Sequence, residues 1–259
     1  MYAHSSDSLT SLSVALLFAA IFLWGGRAAY WFGQDARRRF LSFAAGISVS
    51  YTFVKVLPAL GAIQDLHVAQ PTGFYQVFPA YSVYLWTMTG FLVFYGLETL
   101  AAAEPRHGTA DGTVEESEGS AWRPWVHIGG FALYAWLITF MIVWTGKGVF
   151  TLWLFAAAMG IHFFPIAYNL RSHYRAVYDR HGALLLALAT LGGWVCGQAL
   201  SIPRPIVFNL LAIVAGGVIV NAVIAELPKK RESAYWSFVT GAVLYTALLL
   251  FLSHVEKGE

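Results

Sequence analysis

The stretch Ala156-Ala-Ala-Met-Gly-Ile-His162-Phe-Phe-Pro165-Ile-Ala-Tyr-Asn169 lies inside an apolar run long enough to cross a bilayer, yet it carries a histidine, a proline and an asparagine. In helical geometry His162, Pro165 and Asn169 fall on one face. Polar groups in hydrocarbon are costly, so they face a bundle interior or a water-filled path. Proline removes one backbone hydrogen bond and frees the carbonyl of Ile161 for another partner. This face is where a site is expected.

Composition places the stretch in its setting. The chain has 259 residues, 58% hydrophobic and 12% charged, about half the charged share of a soluble domain. Mean hydropathy is +0.60. These values describe a polytopic membrane protein, read as a single domain over residues 1–259. A net charge of +2 and the lack of a basic block with interleaved aromatics exclude nucleic acid as a partner. The single Cys196 excludes a disulfide framework and a multi-thiolate metal site. The first apolar run is too long for a signal h-region and its basic residues follow it, so it reads as a retained helix.

A crossing needs about 20 mainly apolar residues. Eight segments qualify: 10–32, 40–60, 80–101, 125–144, 149–170, 182–202, 205–227 and 234–253. None alternates as a membrane strand would. With the N-terminus outside, the inner loops hold Arg37, Arg38, Arg39, Arg106, Arg123, Arg171, Arg175, Arg180, Lys229, Lys230 and Arg231. The outer segments hold only Lys147, Arg204 and Lys257. The positive-inside rule then predicts an inner (plasma) membrane protein with both termini outside. One long inner loop, about 102–123, carries Asp111, Glu115, Glu116 and Glu118 among small polar residues and reads as an acidic spacer.

The chain also repeats itself. The second segment reads Ala45-Gly46, eleven residues, then Pro58, and the seventh reads Ala215-Gly216, eleven residues, then Pro228. Leu precedes each proline, which stops or bends the helix. In the predicted topology the two segments run in opposite directions, so segments 1–3 and 6–8 become inverted copies around segments 4–5, as in transporters. Small residues at four-spacing (Gly193/Gly197, Ala212/Gly216, Gly25/Ala29/Gly33) predict close helix contacts, with a homodimer as their other use.

Eight helices, an acidic inner loop after the third, and the Ala-Gly…Leu-Pro endings make the chain resemble the ZIP family of divalent-metal transporters. The resemblance implies an all-α membrane fold, a 3+2+3 inverted-repeat bundle, and a mid-membrane metal site. In that family the fifth helix carries His-Glu-x-Pro-His-Glu; here the run is His162-Phe163-Phe164-Pro165-Ile166-Ala167. The first His and the Pro match, while both acids and the second His are replaced. The family's fourth helix adds His, Asn and an acid, and Gly129 to Val143 contains none of these.

His162 is thus the one metal-ligand candidate, and it makes an incomplete site. Zn²⁺ needs several N, O or S ligands in place of its water shell. No cofactor is implied beyond a weakly bound divalent cation. Two readings of His162 stand side by side. It joins helices by donating to a carbonyl freed by Pro165, or it lines a wet path with Asn169 and Asn221. Lys55, roughly 22 Å into its segment, is expected near the outer end, where it repels entering cations. Arg27, Glu98 and Glu226 fall toward inner ends, as interfacial anchors or as an ion pair or gate. His127 and His162 differ in depth, against a bis-histidine haem. The pathway candidates are therefore His162, Pro165, Asn169, Asn221, Lys55 and Glu226. The expected function is transport of a cation or small solute through the interior of helices 2, 4, 5 and 7, with a ZIP-like scaffold or binding protein as the alternative. Nothing in the sequence argues for an enzyme, and the lipid bilayer is the expected partner.

Overall fold

A computed structural model describes residues 8–69, 81–102, 122–144, 148–200, 202–222 and 232–258. The acidic segment and Glu226 lie outside these residues. The described chain is helical, without a strand. Its eight helices are α1 (Ser8–Trp31), α2 (34–69), α3 (Ser82–Ala102), α4 (Arg123–Trp144), α5 (Val149–His173), α6 (Arg175–Ala199), α7 (Arg204–Val220) and α8 (Glu232–Gly258). Five of them, α1, α2, α4, α5 and α6, are long and apolar enough to cross a membrane. The chain is therefore a membrane protein.

Helix boundaries follow local chemistry. Gly33 and Gly148 take extended conformations immediately before α2 and α5. Pro205 sits in the first turn of α7, where its missing N–H costs nothing. Two helices begin well before the expected segments. The second was expected from residue 40, but α2 begins at Gln34. Its first turns carry Arg37, whose guanidinium lies over the rings of Tyr30 and Tyr168. The sixth was expected from residue 182, but α6 begins at Arg175. Arg171 and Asp179 form a two-pronged ion pair there and hold the polar turn against α5.

Complete π turns among the described residues are Ile21–Gly25 in α1, Thr52–Val56 in α2 and Tyr178–Gly182 in α6. Such turns leave a carbonyl for another donor. The Tyr178 hydroxyl donates to the carbonyl of Phe22 at 2.7 Å, so the π turns of α6 and α1 meet through one buried hydrogen bond.

The helices pack chiefly as α2 on α8, α3 on α7, α4 on α6, and α1 on α5 and α6. In lipid the association of helices depends on close van der Waals packing, and glycine permits it here. A side chain at Gly46 would collide with the backbone of Phe238 and Ala242 on α8, and one at Gly241 with the carbonyl of Phe43 on α2. The same pattern recurs between α7 and α3. A side chain at Gly216 would strike the backbone of Thr87 and Phe91, and one at Gly90 the carbonyl of Ile213. Each of Gly46 and Gly216 faces the positions three before and one after its partner glycine. Gly193 fits the same way against Trp136 and Thr139 of α4. Gly33, grouped with the close-packing residues by its spacing, has open space for 4 Å around the point where a Cβ would sit, and it serves as a helix start instead.

The largest core cluster joins α1, α4, α5, α6 and α7. Phe163 is its hub, with Phe18 edge-on at 5.0 Å and Phe22 at 4.9 Å between ring centroids. Phe163 thus contributes packing at the position where the resemblance places an acid.

Candidate functional site

His162 is buried where α2, α4 and α5 meet. Ser48 Oγ lies 2.7 Å from its Nδ1 and Tyr134 Oη lies 3.2 Å from its Nε2. A neutral imidazole has one donor and one acceptor nitrogen, and two hydroxyls match either tautomer. Both of these contacts are with side chains of other helices. Ser48 is placed by the helix turn before the α2 π turn, and the Thr52 hydroxyl donates to its carbonyl at 2.9 Å. Tyr134 is fully buried, with Phe94 and Phe163 against its ring. Neither residue was singled out in the sequence, although a phenol in an otherwise apolar helix is a signal of a buried hydrogen bond.

Toward one end of the bundle from His162, a cavity of about 80 Å³ lies between α2, α4, α5 and α7. Its walls include Tyr51, Met141, Ile142, Phe155, Met159 and Val214. Every lining residue but Tyr51 is apolar. The chamber offers no carboxylate, imidazole or amide to a cation.

A second, smaller cavity of about 20 Å³ lies between α3, α4 and α7, lined by Glu98, His127, Tyr134 and Asn221 among others. That is room for about one water molecule. Glu98 Oε2 and His127 Nε2 pair at 2.8 Å. Asn221 is buried, and Tyr134 lies between its cavity and His162. The pairing of Glu98 with His127 was missed because the two residues belong to different helices.

The other members of the polar stripe lie toward the end of the bundle that carries the arginines. Pro165 is buried and Asn169 half-buried, and both line a polar cavity of about 250 Å³ with Gln34, Arg37, Arg38, Ser42 and Tyr168. Nearby, Arg171 grips Asp179 with two hydrogen bonds of 2.8 and 2.9 Å, and Arg27 approaches the same carboxylate at 3.5 Å. Lys55 is exposed on α2 and lines none of these three cavities. His162, Pro165 and Asn169 therefore follow one seam between α2 and α5, Asn221 joins it through Tyr134, and Lys55 stands apart.

Among the described residues no group of three or more His, Cys, Asp or Glu side chains converges as metal ligands would. Comparison with family models gives no match, and comparison with curated proteins gives none either.

Proposed function

We propose that this chain is an inner-membrane transporter of ZIP-like arrangement whose cargo is a small uncharged solute. Eight crossings, both termini outside and inverted halves 1–3 and 6–8 belong to this reading. The observation that carries it is the apolar chamber of about 80 Å³ between α2, α4, α5 and α7. Roughly 10–15 Å³ holds one water, so the chamber has room for a molecule of a few heavy atoms. A bare divalent cation would lose its hydration shell there with no ligand in exchange. The matched glycine contacts of α2 on α8 and of α7 on α3 support the inverted halves.

A non-transporting ZIP-like scaffold is the second reading, favoured by the engagement of both His162 ring nitrogens. Entry into proteoliposomes separates the two. Stopped-flow light scattering with urea or glycerol should report faster entry than into protein-free vesicles. Met159→Trp, which fills the chamber, should return the rate to background. An internal zinc dye should report no saturable uptake. Saturable Zn²⁺ uptake lost in His162→Ala would restore the metal reading, and folded protein that moves neither solute would leave the scaffold.

A further inference from the structure

The arginine end of the α2–α5 seam is built differently from the chamber, and it answers a different chemistry. Arg37 has its guanidinium carbon 4.9 Å from the Tyr30 ring centroid and 5.5 Å from that of Tyr168. Attraction of a guanidinium to a ring face occupies no conventional hydrogen-bond acceptor, so its N–H groups can still serve an anion. Arg38 lines the same cavity of about 250 Å³. Neither arginine is paired with a carboxylate among the described residues. The neighbouring acid is already taken, because Asp179 is shared by Arg171, Arg27 and, at 4.0 Å, Arg175. The cavity therefore keeps two cationic forks beside the neutral donors of Gln34, Ser42, Tyr168 and Asn169.

We propose that this cavity binds a phosphate group. Guanidinium forks match phosphate oxygens in geometry and charge, and an Arg37 held against two touching rings loses little freedom on binding. The depth is suitable as well. Tyr30, Trp31 and Phe32 are exposed beside the cavity, as aromatic residues are at the level of lipid headgroups. The phosphate belongs either to an anionic phospholipid headgroup or to a free phosphorylated anion. The proposal does not depend on transport.

Thermal unfolding of the full chain in neutral detergent tests it, with inorganic phosphate, dioctanoyl phosphatidic acid and dioctanoyl phosphatidylcholine as probes. Phosphatidic acid should raise the unfolding midpoint in a saturable way, and phosphatidylcholine should not. Arg38→Gln should weaken the apparent affinity roughly tenfold, the loss expected of one charge-assisted hydrogen bond. Arg39→Gln, on the same helix but outside the cavity, should leave the affinity unchanged. Asn169→Asp places a negative charge inside the cavity and should abolish the shift, a second readout if Arg38→Gln folds poorly. A shift with inorganic phosphate as well identifies a free anion as sufficient, and a shift with phosphatidic acid alone identifies the headgroup. No shift with either phosphate, an equal shift with phosphatidylcholine, or equal losses in Arg38→Gln and Arg39→Gln would overturn the proposal.

Discussion

The two cavities on either side of His162 share helices α2 and α5 and differ in almost everything else. One is walled by methionine, aliphatic and aromatic side chains, with the Tyr51 hydroxyl its one polar side-chain group. The other presents two guanidinium groups, two amides and two hydroxyls. Between them the ring of His162 spans from Ser48 on α2 to Tyr134 on α4. A route for a hydrated cation needs polar groups along its length, and this seam is polar only from its midpoint to one end. Phe163 adds no polar group to such a route, because its ring packs against Phe18 and Phe22. The contrast teaches that the centre of the bundle is packed with aromatic and apolar side chains at positions where the resemblance would place metal ligands.

The largest expected effect breaks the chamber by separating its walls. Helices α2 and α7 each supply one wall and are each held by a glycine against another helix backbone. Gly46→Leu and Gly216→Leu place side chains where Phe238 and Thr87 backbone atoms already stand. Each should cost about 4 kcal/mol or more, the range reserved for severe overpacking, and should remove the monodisperse peak in size-exclusion chromatography. Gly33→Ala meets nothing within 4 Å and should change stability by no more than about 0.5 kcal/mol. If the two leucine variants differed strongly from each other, the equivalence of the two glycine contacts would be lost.

A smaller effect is expected at the partition itself. His162→Ala leaves the Ser48 and Tyr134 hydroxyls without their shared partner and should lower stability by ~1 kcal/mol, as for other intramembrane hydrogen bonds. Ser48→Ala and Tyr134→Phe should each cost less, about 0.6 kcal/mol, measured by unfolding in mixed detergent. Removing the imidazole also opens space between the chamber and the arginine end. Entry of urea or glycerol should therefore rise in His162→Ala, while a fall in proportion to folded protein would mean that the two cavities never communicate.

How much of this was readable beforehand depends on the range of the interaction. Apolar runs and the small residues at Gly193, Gly197 and Gly216 are local patterns, and they carry the helical fold and several of its close helix contacts. The burial of His162 was likewise legible, since a histidine in an apolar run has few other places to go. Its partners were not legible, because Ser48 and Tyr134 are brought to it by packing of α2 and α4 across more than a hundred and nearly thirty residues of sequence. The starts of α2 and α6 were misjudged for a related reason. A hydropathy reading ends a segment at its first arginines, whereas stacking of Arg37 on two tyrosines and the pairing of Arg171 with Asp179 carry the helices on.

The smallest expected effect concerns Lys55, which the sequence placed among the pathway candidates. It belongs to the π turn Thr52–Val56 of α2. Its neighbours Tyr51 and Val56 line the chamber, but the Lys55 side chain is exposed. A widened turn changes the direction of successive side chains, and here the ammonium stands outside the cavities while both of these neighbours line the chamber. An exposed lysine on a membrane helix keeps its charge in water by extending along its own stem. Lys55→Gln retains length and polarity and removes only the charge. It should alter stability by no more than about 0.5 kcal/mol and leave the entry rate of an uncharged solute unchanged. Zn²⁺ entry is the more sensitive readout, because a cation held back by this charge would pass more readily in Lys55→Gln. An unchanged zinc signal would locate the barrier in the apolar walls of the chamber, and a raised one would locate it at the lysine.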